Sequence, residues 1–175
     1  MTLSALNTVA FACTNDEITM LHGVELHQAV DALINSWTSF AHRHHAGACA
    51  HFAVRNPASL ATAFSTIRHH NVVPDEAIYT ALALVRRVMV KNADVVLTPA
   101  NAVTIFLTAL LVAGKIWLDV PYNTVSFGML AGVNARTMFQ FETKLLNLLD
   151  WEVIVAPDEI ALIARALASG SGNGV

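Results

Sequence analysis

Apolar residues recur at steps of three and four along most of this chain, a spacing that predicts helices packed through one face. The first clear helix begins at Glu25 and ends near His42, with one apolar stripe along it. The stripe consists of Leu26, Val30, Leu33, Ile34, Trp37 and Ala41. Alternation with a period of two, which is typical of strands, is nearly absent. The pattern therefore predicts an all-α fold.

Five further helical segments follow, and a last helix completes the pattern. Capping residues, prolines at the first helical position and acids at the positive end of a helix dipole mark where each segment starts. The predicted starts are Asn56-Pro57, Asp75-Glu76, Thr98-Pro99, Asn123, Asn134 and Pro157-Asp158-Glu159.

The third of the five segments is apolar nearly all round, from Val103 to Ala113. Such a helix lies at the centre of a bundle, wrapped by the others. The uncharged run over residues 95–114 is about as long as a membrane span, but polar residues occupy its first half. We therefore predict a buried core helix and no contact with a membrane.

Composition narrows the class of protein. The chain has 175 residues, of which 55% are hydrophobic and 13% charged, so extensive disorder is excluded. The formal charge is −3, so the chain lacks the overall positive charge that attracts nucleic acid, and we predict no nucleic-acid partner. Two cysteines, Cys13 and Cys49, make no disulfide framework, and no secretory signal is recognisable at the start. These features predict a reducing compartment, the cytoplasm or the nucleus.

Histidines crowd the segment after the first helix, where His42, His44, His45 and His51 lie close to Cys49. Zinc sites use regular ligand pairs, and no such pair occurs here. A polar linker is therefore favoured over a structural metal, and no cofactor is predicted. We also find no phosphate-binding glycine loop, nucleophile elbow or paired inward carboxylates, so the sequence predicts a protein that is not an enzyme.

Two charged residues do not fit the core pattern. Lys115 ends the uncharged run in the last turn of the central helix, and Glu142 lies among apolar neighbours in the fifth segment. One interpretation is that Lys115 extends to solvent at the negative end of its helix, while Glu142 pairs with Arg136 or Lys144. The other is that Lys115 and Glu142 meet in space and mark an interface with another protein.

An ordered set of segments resembles the cyclin box, and the match covers about Asn56 to Val155. The order of its motifs is similar to that in the yeast phosphate-response (PHO-type) cyclins and their protist relatives. These motifs are a lysine, an acid four residues later, a Tyr-Asn pair and a terminal Leu-Leu-Asp-aromatic group. The segments that carry the resemblance are Ala81–Arg87, Leu97-Thr98, Ala113–Asn123, Gly132-Val133-Asn134 and Phe141–Trp151.

The resemblance implies a five-helix bundle around a buried third helix, with an added N-terminal helix and a C-terminal helix. It also implies a regulatory subunit that binds and activates a cyclin-dependent protein kinase in cell-cycle or nutrient and phosphate signalling. The family's kinase contacts fall on Lys115 and Glu142, accompanied by the acids Asp119 and Asp150. We hypothesise that Asp150 takes the place of a phosphate for an arginine cluster of the kinase.

Two features limit the resemblance. Only one cyclin box fits this chain, and the helix from Ala58 to Ile67 lacks the Met-Arg-Ala-Ile-Leu pattern by which cell-cycle cyclins dock substrates. The alternative function is a cyclin-fold scaffold or transcription-type adaptor without kinase activation.

The resemblance also divides the chain into five predicted parts. These parts are a loosely ordered N-terminus (1–24), an N-terminal helix with the His-rich linker (25–55), the cyclin box (56–156), a C-terminal helix (157–168) and a flexible tail (169–175).

Overall fold

The computed structural model describes residues 20–44, 51–54, 59–69, 73–119 and 123–171. Within these ranges the chain forms helices and no strand, which confirms the all-α prediction. The helices are α1 (Gly23–His44), α2 (Leu60–His69), α3 (Asp75–Lys91), α4 (Ala102–Trp117), α5 (Thr124–Leu130), α6 (Ala135–Leu148) and α7 (Pro157–Ser171).

The apolar helix α4 occupies the centre of the bundle, as predicted. Every residue from Thr104 to Gly114 is buried, and α3, α5 and α6 all pack against this helix. The hydroxyl of Thr108 donates to the Thr104 carbonyl at 2.7 Å, so its polar group is satisfied inside the core. Among the described residues, no helix is both long and apolar enough to span a membrane.

The predicted start of α4 at Thr98-Pro99 is wrong, because the helix begins three residues later, at Ala102. Asn101 precedes it and is fully buried. Its amide oxygen accepts from the Thr98 N–H at 2.7 Å, and its amide nitrogen donates to the carbonyls of Val96 (2.9 Å) and His51 (3.1 Å). The buried amide therefore closes a turn before the helix and ties a distant loop to it.

The corner between α5 and α6 follows the sequence prediction. The side chains of Asn123 and Asn134 accept from backbone N–H groups two and three residues later, at 2.9 and 2.8 Å, so both cap their helices. Gly132 has a φ of 71°, a conformation that glycine adopts without strain. The Asn56-Pro57 cap lies outside the described residues, and the helix predicted to start there begins at Leu60 instead. The hydroxyl of Ser59 accepts from the Thr62 N–H at 3.0 Å, so Ser59 caps this helix.

The terminal helices α1 and α7 pack on each other, and α7 also contacts α3. Tyr79 fixes the entry to α1, because its hydroxyl donates to the Leu21 carbonyl at 3.0 Å and accepts from the Leu21 N–H at 2.7 Å. Burial raises the pKa of the Tyr79 hydroxyl. Helix α7 ends at Ser171, three residues beyond the predicted end.

Candidate protein-binding face

The structure brings Lys115 and Glu142 together. The ammonium of Lys115 donates to Oε1 of Glu142, although 27 positions separate the two residues. The Lys115 side chain is 37% exposed and that of Glu142 only 9%. The simpler interpretation of Glu142 as a surface acid paired with Arg136 or Lys144 is therefore wrong; Lys144 contacts the ring of His51 instead.

Helix packing explains this contact. Lys115 is the first exposed residue after the buried part of α4, and it lies in the last turn of the helix, where a cation complements the helix dipole. Glu142 lies on the buried side of α6, the helix that packs against α4. A buried carboxylate is unfavourable unless it is paired, so Lys115 stabilises the charge that α6 brings into the core.

The pair satisfies only part of the Glu142 carboxylate. Its second oxygen, Oε2, is buried and has no hydrogen-bond partner in the part of the chain that the structure describes. Native proteins rarely leave such a group without a partner, and exceptions often coincide with functional sites. The carboxylate therefore has acceptor capacity that Lys115 does not use.

Exposed apolar side chains lie on the two helices next to this pair. On α5, Val125 and Met129 are one turn apart and are 48% and 70% exposed. On α6, Phe139 is 62% exposed and lies one turn before Glu142. We call the residues Lys115, Glu142, Val125, Met129 and Phe139, which lie on three helices that pack against one another, the α4–α6 face. Large exposed apolar groups are typical of a surface that binds another protein.

The apolar part of this face was not predicted from the sequence, although a signal was available for Phe139. Met138 and Leu145 lie seven positions apart, a spacing that places them on one side of α6, and both are fully buried. Phe139 follows Met138 directly, so it points away from that side. A large aromatic residue off the buried side of a helix is a signal for an exposed apolar site.

The two other predicted site residues lie apart from the pair. Asp119 is exposed just after α4 and makes no ion pair with any described residue. Asp150 follows α6 in the left-handed region, with a φ of 53°. Its carboxylate lies 3.3 Å from the ammonium of Lys91, which also binds Glu152 at 2.6 Å. The hydrogen bond to Glu152 is the main reason that the pKa of Lys91 is raised.

The His-rich segment is described only in part. Among the residues that the structure describes, no group of three or more histidine, cysteine or acidic side chains is arranged for a metal ion. His51 lies between Lys144 and Asp94, at 3.5 Å from the Asp94 carboxylate. His45 and Cys49 lie outside the described residues, as do the side chains of His42 and His44.

The comparison with protein families decides the class of protein. A family model described as Cyclin matches residues 13–153, which is most of the chain. This chain belongs to the cyclin family. The match corresponds to a cyclin with a single cyclin box, and it runs from before α1 to the connector that precedes α7. Members of the family are regulatory rather than catalytic. A search of curated proteins gave no match.

Proposed function

We propose that this cyclin binds a cyclin-dependent protein kinase through the α4–α6 face and holds it in its active conformation. The single observation that carries the proposal is the Lys115–Glu142 pair at the exposed end of an otherwise buried helix. Family membership supports a kinase as the partner in general terms. The specific kinase partner and the roles of Lys115, Glu142, Asp119 and Asp150 are part of the proposal.

The chemistry of the face fits a helix of the kinase. An ammonium has three donors, and Glu142 accepts from one of them, so Lys115 retains donors for carbonyl groups at a helix end. Val125, Met129 and Phe139 offer apolar area to the side of the same helix. To move a kinase from mostly inactive to mostly active, the cyclin must prefer the active form by about 5.5 kcal/mol.

Asp150 is proposed to serve as a substitute for a phosphate on the kinase. Its side chain is 76% exposed, and its present partner, Lys91, lies in an exposed ion pair. Exposed ion pairs are weak, so an arginine cluster could replace Lys91 at this carboxylate, while Glu152 retains the lysine. Kinase activity of an unphosphorylated complex, lost in Asp150→Ala, would support this role, and unchanged activity would remove it.

The test of the proposed function is co-purification of the kinase from a native extract, read by mass spectrometry. We expect Lys115→Ala with Glu142→Ala to abolish kinase recovery while circular dichroism shows unchanged helical content. The matched control is His22→Ala with Asp75→Ala, which also removes a contact between side chains distant in sequence, here a hydrogen bond of 2.9 Å. The control should recover the kinase as the wild type does.

Undiminished kinase recovery with the Lys115–Glu142 double variant would contradict the proposal. Recovery of other proteins without any kinase would favour the alternative, a cyclin-fold scaffold or transcription-type adaptor. The proposal includes a role in cell-cycle or phosphate signalling and a location in the cytoplasm or nucleus. The identity of the recovered kinase would distinguish between these roles.

A further inference from the structure

A large aromatic side chain, Trp117, stands open at the end of α4 and is not part of the α4–α6 face. It is 52% exposed, and its indole N–H donates to the hydroxyl of Thr80 on α3 at 2.8 Å. Lys115 lies two positions earlier and contacts Glu142 on α6. Residues two positions apart point to nearly opposite sides of a helix. Trp117 therefore extends the exposed end of α4 toward α3, away from the Lys115–Glu142 pair.

Thr80 fixes the position of this indole. Thr80 is buried, and its hydroxyl donates to the carbonyl of Glu76 at 2.8 Å, which leaves an oxygen lone pair directed at Trp117. The N–H edge of the indole is thus held against α3, while much of the ring remains in solvent. An aromatic ring that is already held in one position loses little conformational entropy when a partner binds to it.

Two exposed acids lie beside Trp117. Glu76 is exposed one turn before Thr80 on the same side of α3, and Asp119 is exposed two positions after Trp117. Neither carboxylate makes an ion pair with a described residue. The helix dipole favours an acid in the first turn of α3, but it leaves the Glu76 carboxylate in solvent, where a cation can reach it.

The described cations on the neighbouring elements do not offset these two acids. Lys115 binds Glu142, and His22, which precedes α1, contacts Asp75 at 2.9 Å, so both are already paired with a carboxylate. Arg136 belongs to α6, the helix that packs on the Lys115 side of α4. The surface between Trp117 and α3 therefore carries an excess of negative charge.

The remaining cations of α3 lie toward its other end, where they bind the connector between α6 and α7. The first of them, Arg86, lies ten positions beyond Glu76, or about 15 Å along the helix. Arg87 clamps the connector by donating to the carbonyl of Glu152 and, at 3.0 Å, to that of Ile154. It also donates to the carboxylate of Glu159 at 2.5 Å, and Lys91 binds Asp150 and Glu152. These cations are therefore engaged far from Trp117.

From these contacts we propose that Trp117 and Glu76 bind an arginine side chain of a partner protein. The planar guanidinium stacks on the open face of the indole and donates to the Glu76 carboxylate, and Asp119 adds to the negative potential. Arginine is preferred to lysine because its flat, delocalised group stacks and forms an ion pair at the same time. Neither Trp117 nor Glu76 belongs to the α4–α6 face, so the proposal does not depend on the proposed kinase activation.

The test measures fluorescence anisotropy of short labelled peptides with the full chain and no kinase. One peptide alternates arginine and serine, a second has citrulline in place of arginine, and a third has glutamate there. Citrulline keeps the planar group but has no charge, so we expect the arginine peptide to bind most tightly. Trp117→Ala should weaken both the arginine and the citrulline peptide, the former about tenfold, with unchanged helical content by circular dichroism. Glu76→Gln should weaken only the arginine peptide, by about threefold.

Each substitution has a matched control. Trp151→Ala removes another exposed tryptophan, and Asp158→Asn removes another exposed acid from the first turn of a helix, so both should leave the affinities unchanged. The proposal is overturned if the arginine peptide binds more weakly than about 1 mM, if either other peptide binds as tightly, or if a control has the same effect as its counterpart. Self-association of the chain that Trp117→Ala abolishes would assign this surface to a second copy and would also overturn it.

Discussion

Two lysines of this protein bind carboxylates in surroundings that differ in burial: Lys115 binds Glu142, and Lys91 binds Asp150 and Glu152, a group that we call the Lys91 cluster. Glu142 is 9% exposed and depends on Lys115, whereas Asp150 and Glu152 are largely exposed and share Lys91. A buried carboxylate loses its water and needs its partner for the fold to be stable. An exposed carboxylate keeps its water and can exchange one cation for another.

The two ion pairs therefore differ in how far the fold depends on them. The Lys115–Glu142 pair is part of the bundle, and we propose that it presents a fixed charge to a partner. The Lys91 cluster lies at the surface, so we expect it to contribute little to the stability of the bundle. Matched substitutions in the two regions separate these roles, and their expected effects differ in size.

The largest effect is expected when Lys115 is replaced alone. Lys115→Met leaves the Glu142 carboxylate buried without a cation, so we expect the free energy of unfolding to fall by about 3 kcal/mol. Adding Glu142→Gln removes the buried charge and should restore more than half of the loss. Urea unfolding of the two variants and the wild type measures both steps. Equal stability of the single variant and the wild type would show that solvent already reaches the pair.

A smaller effect is expected at Arg87, whose side chain is 14% exposed. Arg87→Ala removes the clamp on the connector and should lower the free energy of unfolding by about 2 kcal/mol at pH 7. Because Arg87 lowers the pKa of Glu159, its contribution is present above the unfolded value of 4.5 and is lost as the pH falls through the folded value. The difference between wild type and variant, measured by urea unfolding, should therefore shrink in acid. A difference that is constant from pH 7 to pH 3 would contradict this linkage.

The smallest effect is expected at Lys91. Lys91→Met removes an ammonium that binds two exposed acids and lies 3.5 Å from the Leu149 carbonyl, so the urea midpoint should change little. The same substitution at Lys115 is the internal control, because the two lysines are similarly exposed but the carboxylate that loses its partner is buried only there. A large loss of stability in Lys91→Met would remove the distinction between the two regions.

Much of the local structure was predictable from the sequence. Residue type and spacing predict the caps at Asn123 and Asn134 and the central position of α4, and the structure confirms them. It also confirms the apolar stripe of α1 from Leu26 to Trp37. The start of α4 was mispredicted because Thr98-Pro99 is also compatible with a turn. A buried amide at Asn101, bonded across 50 positions to His51, decides between the two.

For the candidate site, too, part of the arrangement was predictable from the sequence and part was not. Residue type and helical spacing suffice to identify Lys115 and Glu142 as charges among apolar neighbours, since both are local properties. The meeting of these two residues, the burial of Glu142 and the contact of Arg87 with a connector 65 or more positions away are visible only in the folded chain. The reason is physical: helical spacing fixes which side of each helix is apolar, whereas the contacts between distant charges depend on how whole helices pack.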